Sequence, residues 1–569
     1  MNNEEKYKIV SNDFADLIIH EFMLKEVLTT YANASVTRIN NVYSIVYVPV
    51  ENMTSSIIYS VGYEAIPKCY GLMSVPCDES LGVAQLPNII EPELSEQGVL
   101  VGFVDTGIDY RNQAFQYADH TSRIVSIWDQ TIDSENNVED FDYGTEFRQE
   151  QINIALGSEN PLSIVPSMDE IGHGTTLAGI AGGSFNEESG FRGVAPNVEF
   201  VVVKLKPAKP YLMDFFQLPQ DTICFQEDDI ILGVKYLIQV AKELNRPISI
   251  CIGLGSTQGA YLGLGIMNDY LSTMGLLGNV AIVVAAGNEG NSGHHFFGEI
   301  NPTIGYNVVE LNVGDNEPEF LLKFVVNAPN ALLVDLFTPT GEFIGHIPPY
   351  YKQQSTMQFQ YLNTMILVDN TVEYSLTGDQ FISFRFQNPQ RGIWRFRVSG
   401  IGNLISKYHI WLPISGFITP GTFFIKSNTY STITNPGNEE TVLTVTAYNN
   451  VNQTLYYSSS KGFPTENNIK PDIAAPGVNI WAPTINNQYA WNSGTSVAAA
   501  HTTGMVAMLL EWGLLRGNMK SMPSAMIRSL VTGGARRLPV VTYPNPDWGF
   551  GILDIYNSIL LAEGILPNY

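Results

Sequence analysis

Val99-Leu-Val-Gly-Phe-Val-Asp-Thr-Gly-Ile-Asp109 opens with six residues that carry no polar side chain and closes on two aspartates around a glycine. A strand with one wet face alternates apolar and polar residues. A run without alternation suits a strand covered on both faces, as in a parallel sheet. Gly107 then lets the chain turn sharply. Outward from this stretch, Val198-Glu-Phe-Val-Val-Val203, Ile248-Ser-Ile-Cys-Ile252 and Val280-Ala-Ile-Val-Val284 have the same character. Between them, Ile230, Ile231, Val234, Leu237, Ile238, Ala241 and Leu244 recur at the spacing of one helix face. The pattern predicts an α/β domain with a mainly parallel sheet flanked by helices, its functional residues just beyond the carboxyl ends of the strands.

The texture changes on either side. Residues 1–75 combine an amphipathic segment (Phe14, Leu17, Ile18, Phe22, Leu24, Val27, Leu28) with the strand-like Tyr43-Ser-Ile-Val-Tyr-Val48, which predicts a small α+β module. In residues 297–425, Ile382, Phe384 and Phe386 alternate with Ser383 and Arg385, and Trp394, Phe396 and Val398 alternate with Arg395 and Arg397. Turn signals such as Thr338-Pro-Thr-Gly341 and Asn388-Pro-Gln-Arg-Gly392 separate these period-two runs. They predict an inserted antiparallel β-sandwich, jelly-roll-like, dividing the α/β domain into 76–296 and 426–569.

A chain of 569 residues needs more than one core, and 45% hydrophobic with 11% aromatic content excludes disorder on a large scale. Thirty basic against 56 acidic residues give a net charge of −26, which repels nucleic acid and anionic lipid. Four cysteines (Cys69, Cys77, Cys224, Cys251) are too few and scattered for a disulfide scaffold. The spacing allows a Cys69–Cys77 pair without favouring it. The polar start Met1-Asn2-Asn3-Glu4-Glu5-Lys6 lacks the pattern of a secretory signal, and no apolar run reaches bilayer length. The expectation is a protein made in the cytoplasm without a membrane span. No cofactor is expected. The acidic residues allow a structural Ca2+, but no stretch has ligand spacing that locates one, and His294-His295 alone is a poor metal pair. The absence of His-Glu-x-x-His disfavours zinc protease chemistry.

Four segments carry chemistry. Asp105 follows its strand directly; alone, Asp-Thr-Gly also suits an aspartic protease or a structural turn. His173, in Gly172-His-Gly-Thr-Thr-Leu-Ala-Gly-Ile-Ala-Gly-Gly183, is the one histidine of eight flanked by glycines at the start of an Ala/Gly-rich helix. A buried, satisfied histidine is the plainer reading. Ser496, in Asn492-Ser-Gly-Thr-Ser-Val-Ala-Ala-Ala500, sits at a helix start after a glycine turn. Such a serine offers a nucleophilic hydroxyl and a free backbone N–H at one point, although capping is commoner. Asn288, in Val283-Val-Ala-Ala-Gly-Asn-Glu-Gly290, ends a strand and could donate to an oxyanion or simply occupy a turn.

Asp, His, Ser in that chain order, with an oxyanion asparagine, resembles the subtilase (subtilisin-like) family. The resemblance extends to Ser458-Ser-Ser-Lys-Gly462, Lys470-Pro-Asp-Ile-Ala-Ala-Pro-Gly-Val478 and Trp548-Gly-Phe-Gly-Ile-Leu-Asp554, and covers about residues 80–296 and 426–560. It implies a serine endopeptidase acting by acyl transfer, with Ser496 as nucleophile, His173 as base then acid, Asp105 orienting the imidazole, and Asn288 with the Ser496 N–H as oxyanion hole. Similar proteins pair substrate backbone with a Ser-Leu-Gly-Gly strand edge. Here the matching stretch is Gly253-Leu-Gly-Ser256, so Gly253, Leu254 and Gly255 are the expected substrate-binding residues.

The resemblance further implies that residues 1–75 are a propeptide, cut between about 68 and 80, since Gly82-Val-Ala-Gln85 is similar to early mature-domain sequence. The leader, the β-rich insertion and the Gln97–Tyr110 segment together resemble the clostridial Csp-type germination proteases. Those are spore proteins that activate the precursor of a cortex-lytic hydrolase, often with the cleaved propeptide still bound. The partners this implies are such a precursor as protein substrate and the chain's own propeptide. Two alternatives stand beside it: a non-catalytic sensor or scaffold of the same fold, and a general intracellular subtilisin.

Overall fold

The computed structural model describes residues 3–31, 34–53, 57–76, 94, 97–134, 138, 140–259, 263, 265–349, 357–372, 378–465 and 467–565. A nine-stranded sheet forms its centre, in the order 454–455, 443–449, 280–285, 248–252, 100–105, 199–204, 124–129 and 145–148, with 473–476 also paired to 443–449. Pairing is parallel from 443–449 through to 124–129. The short edge pieces 454–455 and 145–148 are antiparallel.

The lack of alternation in the strands has a direct cause. Val101, Phe103, Phe200, Val202, Ala281 and Val283 enter one core together with the helices His173–Gly182 and Thr495–Leu510. Leu100, Val104, Val201, Val203, Ile248, Ile282 and Val284 enter another, shared with the helix Glu227–Glu243. Successive residues therefore meet apolar neighbours on opposite faces, as two-sided burial requires.

The inserted region forms two antiparallel sheets, one of six strands and one of five. Ile382, Phe384, Phe386, Trp394, Phe396 and Val398 lie in its core, which explains their period of two. Its first strand, His295–Ile300, starts slightly ahead of residue 297 and pairs with Ser406–Trp411. A short strand, Phe423–Phe424, closes the region.

The N-terminal amphipathic segment does not form one element. It divides into the strand Phe14–His20 and the helix Glu21–Thr30. Ala15 through Ile19 are all buried, so both faces of the chain are covered there, while Phe22 is 81% exposed. The strand joins Tyr43–Pro49 and Ser35–Arg38 in a three-stranded sheet.

This module docks on a buried charge cluster. Asp16 pairs with Lys209 at 2.5 Å and accepts from Gln226 Nε2 at 2.6 Å, and the same amide donates to Asp228 at 3.0 Å. Lys206 pairs with Asp229 at 2.5 Å. Three carboxylates thus face two ammonium groups out of water. Burial, with Asp229 and Asp16 beside it, holds Asp228 well above the usual carboxylate range.

Cys69, Cys224 and Cys251 are free, buried thiols, and Cys77 and Gly82–Gln85 lie outside the described residues. Among the described residues, no helix is long and apolar enough to cross a membrane. No group of three or more His, Cys, Asp or Glu side chains there is placed to hold a metal ion.

Candidate active site

Asp105 is the last residue of the strand Leu100–Asp105, so a rigid element aims its carboxylate. Oδ1 accepts from the Thr106 N–H at 2.8 Å and lies 2.7 Å from His173 Nδ1. Oδ2 is buried without a hydrogen-bond partner among the described residues. A carboxylate left so little solvated gains most from a positive charge forming on the adjacent imidazole.

His173 is the first residue of its helix. A Cβ on Gly174 would sit 2.2 Å from the Gly107 carbonyl oxygen, so only glycine lets the histidine and aspartate segments approach this closely. Asp169 fixes the turn before it. Its Oδ1 accepts from Gly172 N at 2.7 Å and its Oδ2 from Thr175 N and Oγ1 at 2.9 and 2.7 Å. His173 Nε2 lies 3.2 Å from Ser496 Oγ. Three side chains far apart in the chain are thus joined by two hydrogen bonds, all buried.

Ser496 is the second residue of the helix Thr495–Leu510, where backbone N–H groups have no partner within the helix. Asn288, half-buried, accepts from Thr495 N at 3.2 Å and Thr495 Oγ1 at 3.0 Å through Oδ1. Both contacts are donors to the amide oxygen, so Nδ2 is the group left to donate elsewhere.

The chain's own N-terminal segment fills the cleft. The strand Cys69–Leu72 lies between 225–226 and 254–255 and pairs antiparallel with both. Leu254 faces Leu72, and Gly255 faces Gly71. Met73 N–H donates to the Gly253 carbonyl at 3.1 Å, and the Met73 carbonyl accepts from the Ser496 N–H at 3.2 Å. A Cβ on Gly255 would meet the Met73 methyl at 2.7 Å and Thr434 Oγ1 at 2.5 Å, so the methionine tip uses the space that glycine leaves. Beyond it, Ser74–Pro76 pairs with Tyr489–Gly494. An extended peptide crosses the Asp–His–Ser group with one carbonyl, that of Met73, on the serine's N–H.

Gly253, Leu254 and Gly255 therefore lie against a bound backbone, although that backbone belongs to the same molecule. Residues not foreseen from sequence are Asp169, Thr434, Thr495 and Met73. Asp169 had a signal, an Asx four positions ahead of the helical histidine. The other three depend on contacts between distant segments.

The subtilase family model matches residues 96–308 and 399–551. The chain belongs to the subtilase family. Among solved structures, the CspB protease of Clostridium perfringens matches this subtilase with a TM-score of 0.73 and 31% identity, covering 84% of this chain and 96% of that one. A 51-residue stretch is 49% identical to the C5a peptidase of Streptococcus pyogenes, which is 9% of this chain and 4% of the relative's own length. The gap between the two matched segments of this subtilase falls inside the sandwich.

Proposed function

We propose that this subtilase is a self-processing serine endopeptidase whose first substrate is its own Met73–Ser74 bond, with residues up to Met73 acting as the propeptide. One observation carries the reading: the Met73 carbonyl accepts from the Ser496 N–H while Ser496 Oγ lies within reach of His173 Nε2. In this mechanism Ser496 Oγ attacks the Met73 carbonyl carbon and His173 Nε2 takes the hydroxyl proton. Asp105 Oδ1 accepts from Nδ1–H and stabilises the imidazolium. The oxygen that becomes negative is held by the Ser496 N–H and by Asn288 Nδ2. His173 then protonates the departing Ser74 amine, and water, activated by the same imidazole, releases the acyl group.

The finer reading, activation of a spore cortex-lytic hydrolase precursor during germination, is supported by the likeness to the CspB protease. Occupation of the cleft by residues 69–73 favours a cleaved propeptide that stays in place and restrains the enzyme. Purified protein is then expected as two bands on a denaturing gel that co-elute on gel filtration. Separate elution would remove the retained-propeptide part of the reading.

Two further outcomes are expected. Asn288→Ala slows self-cleavage by about 10²–10³-fold with the fold intact, measured as the half-time for loss of the full-length band. A near-normal half-time would mean the oxyanion is held elsewhere. The buried Asp228 gives the retained fragment a pH dependence. Asp16, which the N-terminal module brings beside it, is one of the charges that raise its pKa, so docking takes up a proton and the fragment holds more tightly as pH falls towards the ordinary carboxylate range. Asp228→Asn removes the excess negative charge and is expected to tighten the fragment at neutral pH. Gel filtration across a pH series checks this, and looser binding in the variant would contradict it.

A further inference from the structure

Gly71 sits in the middle of the strand that crosses the active site, two residues before Met73. Its φ is not in the left-handed region, so the backbone there admits any residue. A glycine inside a strand weakens it unless something approaches closely. Here something does: a Cβ on Gly71 would lie 2.8 Å from Ile414 Cδ1 and 3.0 Å from Phe417 Cε1. Ile414 is 1% exposed and Phe417 2% exposed, so both sit in the packed interior, where a retreat must displace neighbouring side chains.

These two residues come from the loop that leaves the sandwich strand Ser406–Trp411. The loop is tied to the protease framework beside the oxyanion asparagine. Glu289 accepts from Ser415 N at 2.8 Å and from His294 Nδ1 at 2.8 Å, and the Leu412 carbonyl accepts from Thr257 Oγ1 at 2.9 Å. Phe417 N–H closes a turn on the Ile414 carbonyl at 3.0 Å.

We infer that Ile414 and Phe417 form a steric gate contributed by the inserted sandwich, which admits glycine at the third residue before the bond to be cut and rejects larger side chains. This rests on the endopeptidase reading with Met73–Ser74 as the first bond. The substrate class it names is an extended protein segment of the form Gly-x-Met, cut after the methionine, with the methionine methyl seated over Gly255. The insertion then selects substrates as well as adding mass to the fold.

The test uses the full chain. Gly71→Val is chosen because valine favours an extended backbone, so any loss comes from crowding. Self-cleavage between residues 73 and 74, followed by intact-mass spectrometry, is expected to slow by about 10- to 100-fold, the scale of an overpacked contact. Adding Ile414→Ala and Phe417→Ala to Gly71→Val is expected to restore a rate within about threefold of the chain carrying the two alanines alone. Equal rates for wild type and Gly71→Val overturn the gate, as does a triple variant no faster than Gly71→Val although folded by circular dichroism. If Gly71→Val fails to fold, Gly71→Ala, which adds only the Cβ, decides in the same full-chain assay: self-cleavage is expected to slow by at least about threefold and to recover when Ile414 and Phe417 are alanine, and a wild-type rate overturns the gate. An uncut wild-type chain defeats the underlying protease reading instead, so the two failures are told apart.

Discussion

Ser496→Ala is expected to yield a folded chain that stays at full length. The substitution removes one hydroxyl, whose partner is His173 Nε2 at 3.2 Å, and leaves the backbone N–H on the Met73 carbonyl. The helix and the pairing of 69–72 therefore persist. What is lost is the atom proposed to attack, and for nucleophiles of this type the loss is about 10⁶-fold in rate. A factor of that size turns processing within minutes into processing over years. Denaturing electrophoresis of wild type and variant after equal incubation checks the outcome, with thermal unfolding to confirm that the variant is folded. A shorter band in Ser496→Ala would assign the cut to another residue or another enzyme.

Asp105→Asn is expected to cost about 10⁴-fold. The carboxylate accepts from Thr106 N at 2.8 Å and lies 2.7 Å from His173 Nδ1, so it holds the imidazole with its proton on Nδ1 and its lone pair on Nε2, facing Ser496. An asparagine amide can turn its NH2 towards Nδ1 and fix the opposite tautomer, which has no base aimed at the hydroxyl. It also supplies no charge for the imidazolium. The geometry survives while the chemistry stops. The full-length band is expected to persist far longer than in Asn288→Ala, and equal half-times for the two variants would contradict the assigned roles.

The parallel sheet and three of the four chemistry-bearing segments were legible in the sequence because each is a local backbone requirement. An unalternating strand ends in Asp105, and the helices beginning at His173 and Thr495 follow glycine turns. The sandwich was legible for the same reason, since Phe384 and Phe396 mark inward faces. The N-terminal segment was less so. The apolar residues between Phe14 and Leu28 fit a helical face, but a fully buried strand and an exposed helix share them, and only docking decides where one ends. The register that puts Met73, and not a neighbour, on the Ser496 N–H comes from antiparallel pairing with residues 254–255. No spacing within 68–80 encodes it. The approach of Ile414 and Phe417 to Gly71 is of the same kind, a meeting of segments more than three hundred residues apart.

Mass spectrometry and amino-terminal sequencing of the large fragment released by purified wild-type protein test the central claim most directly. The account predicts a fragment that begins at Ser74, paired with a small one that ends at Met73. A new terminus at any other bond, or the same fragment in equal amount from Ser496→Ala, would contradict it.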